Sequence, residues 1–296
     1  MLEPVTASPD VVDIDPRVEQ GQVRTGSFRT HYYAAGSADS PRSAVLLHDG
    51  AWGGDGYVSW SKVMLELARE YRVYAPDLLG FGRSDKAVFL DRSPYAPRVE
   101  QIGLFCQAVG VDRPAHFVGT SFGGSVVLRA ATGSDWPAAS MTTIAGTGGP
   151  WRTQKGIDLL GELRPGVEYL HEVVAMLTNG EAGHDDNVAR RRANTLIEGH
   201  YGAMVAPRLK HPEASPGRVA DGFPGTVAGA PCPVWLIEMG ADQVIESGWS
   251  AHVQAAAPGV RVLRLDGPHS PNLTDPVGLA GRLGSIFADA EAVSAR

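Results

Sequence analysis

The sequence predicts an α/β protein, with a mostly parallel, doubly wound sheet that carries one helical insertion. Three observations predict it. Short apolar, β-branched runs alternate with longer stretches whose apolar residues recur at helical spacing, a pattern that needs right-handed crossovers and a sheet covered on both faces. The alternation fails once, between about 147 and 229, where no strand pattern occurs. At 296 residues, with 43% hydrophobic and 20% charged side chains, the chain can also bury a full core.

In chain order, "QVRTGSF" and "THYYAAG" read as two strands joined by a tight turn, and "SAVLLH" (43–48) as a compact buried strand. "WSKVMLELAREY" (60–71) has helical spacing, "RVYAPD" (72–77) is a strand, and "PRVEQIGLFCQAVG" (97–110) is a helix that Gly110 stops. "AHFVG" is a strand, followed by a helix over "SFGGSVVLRAAT" that tolerates glycines only under tight packing. "SMTTIAG" (140–146), "PVWLIEMG" (233–240) and "RVLRLDG" (261–267) complete the strands, and "PVGLAGRLGSIFADAEAV" is a last helix. The insertion carries helical patterns near 157–178 and 186–204, between the flexible joints "GTGGP" and "GFPGTVAGAPCP". The expected organisation is an N-terminal arm over 1–20, a core over 21–146 and 230–296, and a helical lid over 147–229.

Composition narrows the function. The formal net charge of -7 argues against a nucleic-acid partner and gives no support for an anionic membrane surface. No apolar run approaches the roughly 20 residues of a membrane span. The N-terminal segment is acidic and contains prolines, so it does not read as a secretion signal. Cys106 and Cys232 belong to no C-x-x-C pair or metal-spaced cluster and read as small buried hydrophobes. The expectation is a reduced, cytoplasmic protein with no cofactor and no metal. Its expected partner is a small-molecule substrate, with a homodimer left open.

The chemistry centres on "AHFVGTSFGGSVV" (115–127), which contains G-x-S-x-G as Gly119-Thr120-Ser121-Phe122-Gly123. A strand before and a helix after are the context in which this motif holds a serine nucleophile on a strained turn above the sheet. The bland alternative is a glycine-tight packing turn. A serine hydroxyl needs a base, oriented by a third group. Of the nine histidines, His31 and His116 lie in strands, His48 ends one and His252 sits in a helix. His171, His184, His200 and His211 fall in the insertion. His269 stands in a loop just after the last strand, at the same sheet edge as Ser121, and is the expected base. Asp242, beyond the end of "PVWLIEMG", is the expected orienting acid. Glu238 lies within the strand, Glu246 is too far along, and Asp266 could pair locally. A tetrahedral oxyanion needs two N–H donors. The amide of Phe122 is one, and the loop "HDGAWGG" (48–54) supplies the other, with Gly50 the first candidate and Ala51 the second.

With these motifs in order, "LLHDGAWGG", "APDLLGFGRSD", "GTSFGG" and "GADQV…DGPHSPNLTDP", the chain resembles the α/β-hydrolase superfamily over roughly 20–146 and 230–290. The resemblance implies an α/β-hydrolase fold with a helical lid in the place of the insertion, and serine-hydrolase chemistry. In that family "DLLGFGRSD" (77–85) is mainly a structural loop lining the site. Serine at 121 argues against branches that use a carboxylate nucleophile. A closer likeness is to hydrolases of meta-cleavage products, which split a C–C bond in vinylogous diketones. Their lid helix resembles "DDNVARRRANT", in which Arg191, flanked by Arg190 and Arg192, matches an arginine that binds the substrate carboxylate. The alternative for this cluster is a solvated face.

Two departures from those hydrolases stand out. Ser270 follows His269 where a tryptophan is common, and in the oxyanion loop Asp49 replaces a glycine and Trp52 enters. Asp49 either bonds its own turn or places a carboxylate beside the site, which would disfavour anionic substrates. Trp52, Phe122, Trp151 and Met176 are expected to form an apolar pocket. The expected activity is hydrolysis of a small or medium apolar ester, lactone or related acyl compound. The competing readings are C–C hydrolysis of 2-hydroxy-6-oxo-dienoates and, in another class, a non-hydrolytic lyase or ligand-binding receptor on the same scaffold.

Overall fold

The computed structural model describes residues 13–294 apart from 91, 163, 165 and 207–221. Residues 1–12 of the expected arm, the stretch 207–221 of the expected lid and His211 lie outside the described residues. A hairpin opens the sheet, with β1 (Glu19–Thr25) antiparallel to β2 (Phe28–Ala35). Its turn falls at Gly26-Ser27, inside the stretch read above as one strand. Gly26 has φ 62°, and a two-residue hairpin loop needs such a positive φ. Next come β3 (Ser43–Leu47), α1 (Gly56–Leu67), β4 (Arg72–Pro76), α2 (Ala96–Val109), β5 (Ala115–Thr120), α3 (Phe122–Ala130) and β6 (Ala138–Ile144). After the insertion follow β7 (Val234–Met239), α8 (Trp249–Ala256), β8 (Arg261–Leu265), α9 (Pro271–Thr274) and α10 (Pro276–Ser294).

The strands lie in the order β1-β2-β4-β3-β5-β6-β7-β8. From β4 to β8 all pairings are parallel, and β2 joins β4 antiparallel. Strands buried on both faces read as near-continuous apolar runs, and the two faces separate cleanly. Val45, Leu47 and Phe117 join Ile102 and Phe105 of α2, Val126 and Val127 of α3 and Val253 of α8 in one core. Leu46, Val118 and Ile144 join Trp60, Val63 and Met64 of α1 and Leu283 and Phe287 of α10 in the other. Each fully buried side chain of this size stabilises the fold by about 1.5–3 kcal/mol relative to exposure. Helix ends follow local chemistry. The Asp55 carboxylate accepts from the Val58 amide at 2.6 Å to start α1, and Gly110, with φ 76°, closes α2.

Between β6 and β7 the described residues contain α4 (Gln154–Glu162), α5 (Val167–Thr178), α6 (Asp185–Thr195) and α7 (His200–Val205). The two helical patterns of the sequence are each divided. The first is interrupted before Val167, where Gly166 has φ 120°, and the second before His200, where Gly199 has φ 78°. Neither conformation fits a helix interior. Cys106 is buried and Cys232 half-buried, and both are free thiols. Among the described residues no helix is long and apolar enough to cross a membrane.

Candidate active site

Ser121 sits at the one-residue turn between β5 and α3. It has φ 51° and ψ -114°, a strained conformation for a residue with a Cβ. The surroundings hold it there. Its amide donates to the Ile144 carbonyl at 2.8 Å, and the Gly123 amide donates to the His48 carbonyl at 3.0 Å. The motif glycines are needed for close approach: a Cβ on Gly119 would collide with the Gly123 backbone, and one on Gly123 with the Leu47 carbonyl. The bend leaves the Phe122 amide at the first turn of α3. Among the described residues it donates to no acceptor, and neither does the Gly50 amide.

Those two amides lie on backbones in contact, since a Cβ built on Gly50 would fall 2.7 Å from Phe122 Cβ. Ala51, the second oxyanion candidate, is otherwise engaged: its amide donates to Asp49 Oδ1 at 2.9 Å. Gly50 is therefore the better-placed donor of the pair. His48 fixes this loop. Its Nε2 accepts from the Leu78 amide at 2.9 Å, so Nδ1 carries the proton and donates to the Asp49 carbonyl at 2.6 Å.

His269 is buried, in the loop between β8 and α9. Its Nδ1 lies 2.8 Å from Asp242 Oδ2. An ionised carboxylate can only accept, so Nδ1 carries the proton and Nε2 is left with its lone pair. That Nε2 is buried and has no hydrogen-bond partner among the described residues, Ser121 included. Asp242 is itself held, because Oδ1 accepts from the amides of Val244 at 2.7 Å and Ile245 at 3.0 Å. The loop is pinned by the Ser270 amide, which donates to the Leu177 carbonyl of α5 at 3.0 Å, and by Asn272 Nδ2, which donates to the Ser59 carbonyl at 2.7 Å. A hydroxyl on a strained turn, a histidine of fixed tautomer and backbone amides with no acceptor among the described residues are the kinds of group that acyl transfer uses.

The four expected apolar residues share one cluster, with Trp52 and Met176 buried in it and Phe122 and Trp151 packed against it. Trp52 meets His200 edge-on at 5.1 Å, and Trp151 stacks on His252 at 5.2 Å. Around Phe122 stand Phe81 of the 77–85 loop at 5.9 Å and two residues the motifs do not signal, Tyr95 at 5.6 Å and Arg98, whose guanidinium lies 5.2 Å over its ring. Arg98 donates to the carbonyls of Pro94 and Leu79, both at 2.6 Å, and burial lowers its pKa to about 10. His200 is fully buried with both ring nitrogens lacking partners among the described residues. Burial pushes its pKa down to about 4, and the Lys86 charge adds to the shift.

Arg191 departs most from expectation. It is not on a solvated face, being fully buried. Its Nη2 donates to Asp49 Oδ2 at 2.8 Å, its Nη1 to Oδ1 at 3.2 Å, and its Nε to Asn187 Oδ1 at 2.8 Å. Burial alone would raise the Asp49 carboxyl, but the Arg191 charge and hydrogen bonds reverse this and hold it at about 2. Asp49 bonds its own turn through the Ala51 amide, and its carboxylate is paired with Arg191. Asn187, Arg191 and Asn194 lie on one face of α6, a spacing that marks a helix stripe. Asn187 Nδ2 donates to the Val58 carbonyl at 3.1 Å and Asn194 Nδ2 to that of Gly53 at 2.9 Å. Among the described residues no group of three or more His, Cys, Asp or Glu is arranged to hold a metal ion.

This arrangement has counterparts in known proteins. A 2-hydroxy-6-oxo-6-(2'-aminophenyl)hexa-2,4-dienoic acid hydrolase of Metapseudomonas resinovorans is 27% identical over 194 residues, 62% of this chain and 62% of that protein's length. A magnesium-chelatase 30 kDa subunit of Rhodobacter capsulatus is 26% identical over 275 residues, 88% of this chain and 91% of its own. The structure of a 2-hydroxy-6-oxo-6-phenylhexa-2,4-dienoate hydrolase from Rhodococcus sp. strain RHA1 shares the fold, with a TM-score of 0.78 and 20% identity over 92% of this chain and 99% of that one. The model of the alpha/beta hydrolase family matches residues 44–282, which takes in the strained serine, the aspartate–histidine pair and the helices between them. On that match, this chain belongs to the alpha/beta hydrolase family.

Proposed function

We propose that the protein is a cofactor-independent serine hydrolase of small or medium neutral acyl compounds, an ester or lactone, with Ser121 as nucleophile, His269 as base and Asp242 as the group that orients it. The observation that supports this reading is the Asp242–His269 hydrogen bond at 2.8 Å, which leaves a buried, unbonded Nε2 at the sheet edge that carries Ser121. In the reaction Nε2 takes the Ser121 proton while Oγ attacks the substrate carbonyl. The developing oxyanion is received by the amides of Phe122 and Gly50, worth several kcal/mol. His269 then gives its proton to the leaving oxygen, and water, deprotonated by the same nitrogen, releases the acyl group. The helices between β6 and β7 act as a lid over this site, and Trp52, Trp151 and Met176 provide its apolar wall.

Arg191 favours a neutral substrate, because its guanidinium already holds Asp49. The second reading is C–C hydrolysis of a dienoate, favoured by the likeness to the Metapseudomonas resinovorans protein. Stopped-flow absorbance with p-nitrophenyl butanoate and, separately, a 2-hydroxy-6-oxo-dienoate distinguishes them through kcat/KM. Ester turnover that disappears in Ser121→Ala is the expected result. Turnover of the dienoate alone would establish the second reading, and near-normal ester cleavage by Ser121→Ala would remove Ser121 from the mechanism.

A further inference from the structure

We infer that Asp49 fills, with the protein's own carboxylate, a complete anion-binding site beside the oxyanion amides, and that removing this side chain turns the site into one for a small external carboxylate. Asp49 is thereby the residue that restricts the enzyme to substrates uncharged at this position, an inference that rests on the neutral-substrate reading above. The donor set is that of a built carboxylate site. Asp49 Oδ1 accepts from the Ala51 amide at 2.9 Å and Arg191 Nη1 at 3.2 Å. Oδ2 accepts from Arg191 Nη2 and from Ser59 Oγ, both at 2.8 Å. A guanidinium fork, a hydroxyl and a backbone amide thus surround both oxygens, and the acid and the arginine are 1% and 0% exposed as side chains.

The donors are held in place independently of the acid they bind. Arg191 is also fixed by Asn187 through Nε and by the Trp52 carbonyl, 3.3 Å from Nη1. Its backbone lies against Gly53, where a Cβ would come within 2.8 Å of the Arg191 Cα. The turn at Asp49 needs only a side-chain acceptor for the Ala51 amide, which a neutral residue can also offer. The negative charge is therefore required by Arg191, and any carboxylate of the right size can meet that requirement. Asp49 immediately precedes Gly50, so an anion seated there lies beside the oxyanion amides. In the native chain a second carboxylate at this place would meet one already ionised at neutral pH.

The test uses the Ser121→Ala protein, so the binding readout does not depend on turnover. Asp49→Gly is added, and melting temperature is followed in sodium formate against sodium chloride at equal ionic strength. Formate is the carboxylate group alone, one carbon smaller than the side chain removed, so it can occupy the place of the carboxylate without meeting the backbone. The expected result is a saturable, formate-specific rise in Tm for D49G that is absent from the parent and abolished in D49G with Arg191→Met. A D49G response to formate no larger than to chloride, or one that survives Arg191→Met, overturns the proposal. Should D49G be unfolded in chloride, the proposal requires that formate restores folding, and failure to fold in either salt overturns it. With Ser121 restored, D49G should raise kcat/KM for mono-p-nitrophenyl succinate relative to p-nitrophenyl butanoate by about tenfold to a hundredfold, the size of one charged hydrogen bond. Loss of ester turnover in the native enzyme would refute the hydrolase reading while leaving the formate result standing.

Discussion

Replacing Asp242 by Asn tests the base more sharply than removing the serine, because the substitution is isosteric and the structure fixes its outcome. Asp242 Oδ1 accepts two backbone amides, at 2.7 and 3.0 Å, and Oδ2 faces His269 Nδ1. An asparagine keeps its carbonyl toward the two amides, since turning its NH2 to them would set donor against donor. Losing both bonds and leaving two buried amides unpaired costs about 4–6 kcal/mol. The Asn NH2 then faces Nδ1, which must accept, and the ring proton moves to Nε2, where a base is needed. Restoring the productive tautomer requires the flip, so kcat should fall by about a thousandfold to ten-thousandfold. The assay is steady-state p-nitrophenyl butanoate hydrolysis, with circular dichroism melts to show that the fold is kept. KM should change little, because the apolar wall is untouched. If D242N keeps more than about a tenth of kcat, Asp242 does not orient His269 and the acid has to be sought elsewhere.

Two further predictions concern buried charge and pH. Arg191→Met leaves the Asp49 carboxylate buried and unpaired, and should destabilise the protein by about 3–5 kcal/mol at pH 7. A urea midpoint shift worth less than about 1 kcal/mol would show that the pair contributes little. The Asp49 carboxyl is depressed to about 2 from an ordinary 3.8, so its stabilisation is present above pH 3.8 and lost as pH falls toward 2. The gap between wild type and Arg191→Met should therefore close in acid. His200 is likewise depressed, to about 4 from 6.5. Its neutral form favours the fold above pH 6.5, and about 2–3 kcal/mol should be lost as pH falls from 6.5 to 4. His200→Leu should flatten that limb of the stability curve, measured by denaturant titration at each pH, and an unchanged slope would refute the assignment.

The sheet was legible because parallel strands buried on both faces read as short unbroken apolar runs, as in "SAVLLH" and "AHFVG". Ser121, Asp242 and His269 stand out as candidates for a related reason: each lies within four residues of the end of such a strand. Where the chain depends on local φ the reading was less sharp. Gly26-Ser27 lies within an apparent strand pattern although a glycine there signals a two-residue turn, and Gly166 lies within an apparent helical pattern although its φ of 120° does not fit a helix interior. The partner of Arg191 was not legible at all. It stands 142 positions away, and periodicity carries no information over that distance. Tyr95 and Arg98, which frame Phe122 beside Phe81, were not legible because they stand at the start of α2, which has no catalytic signature.

The polar stripe on α6 has a mechanical consequence. Lifting that helix would strand a carboxylate and a guanidinium without water or each other, and would strip the Val58, Trp52 and Gly53 carbonyls of their donors. A segment fastened in this way is a door jamb rather than a door. The ring of Trp52 and the His200 ring edge-on to it take no part in those bonds, and their rotation breaks none of them. Either ring can accordingly be exchanged one side chain at a time while the 48–54 loop behind the jamb keeps its shape.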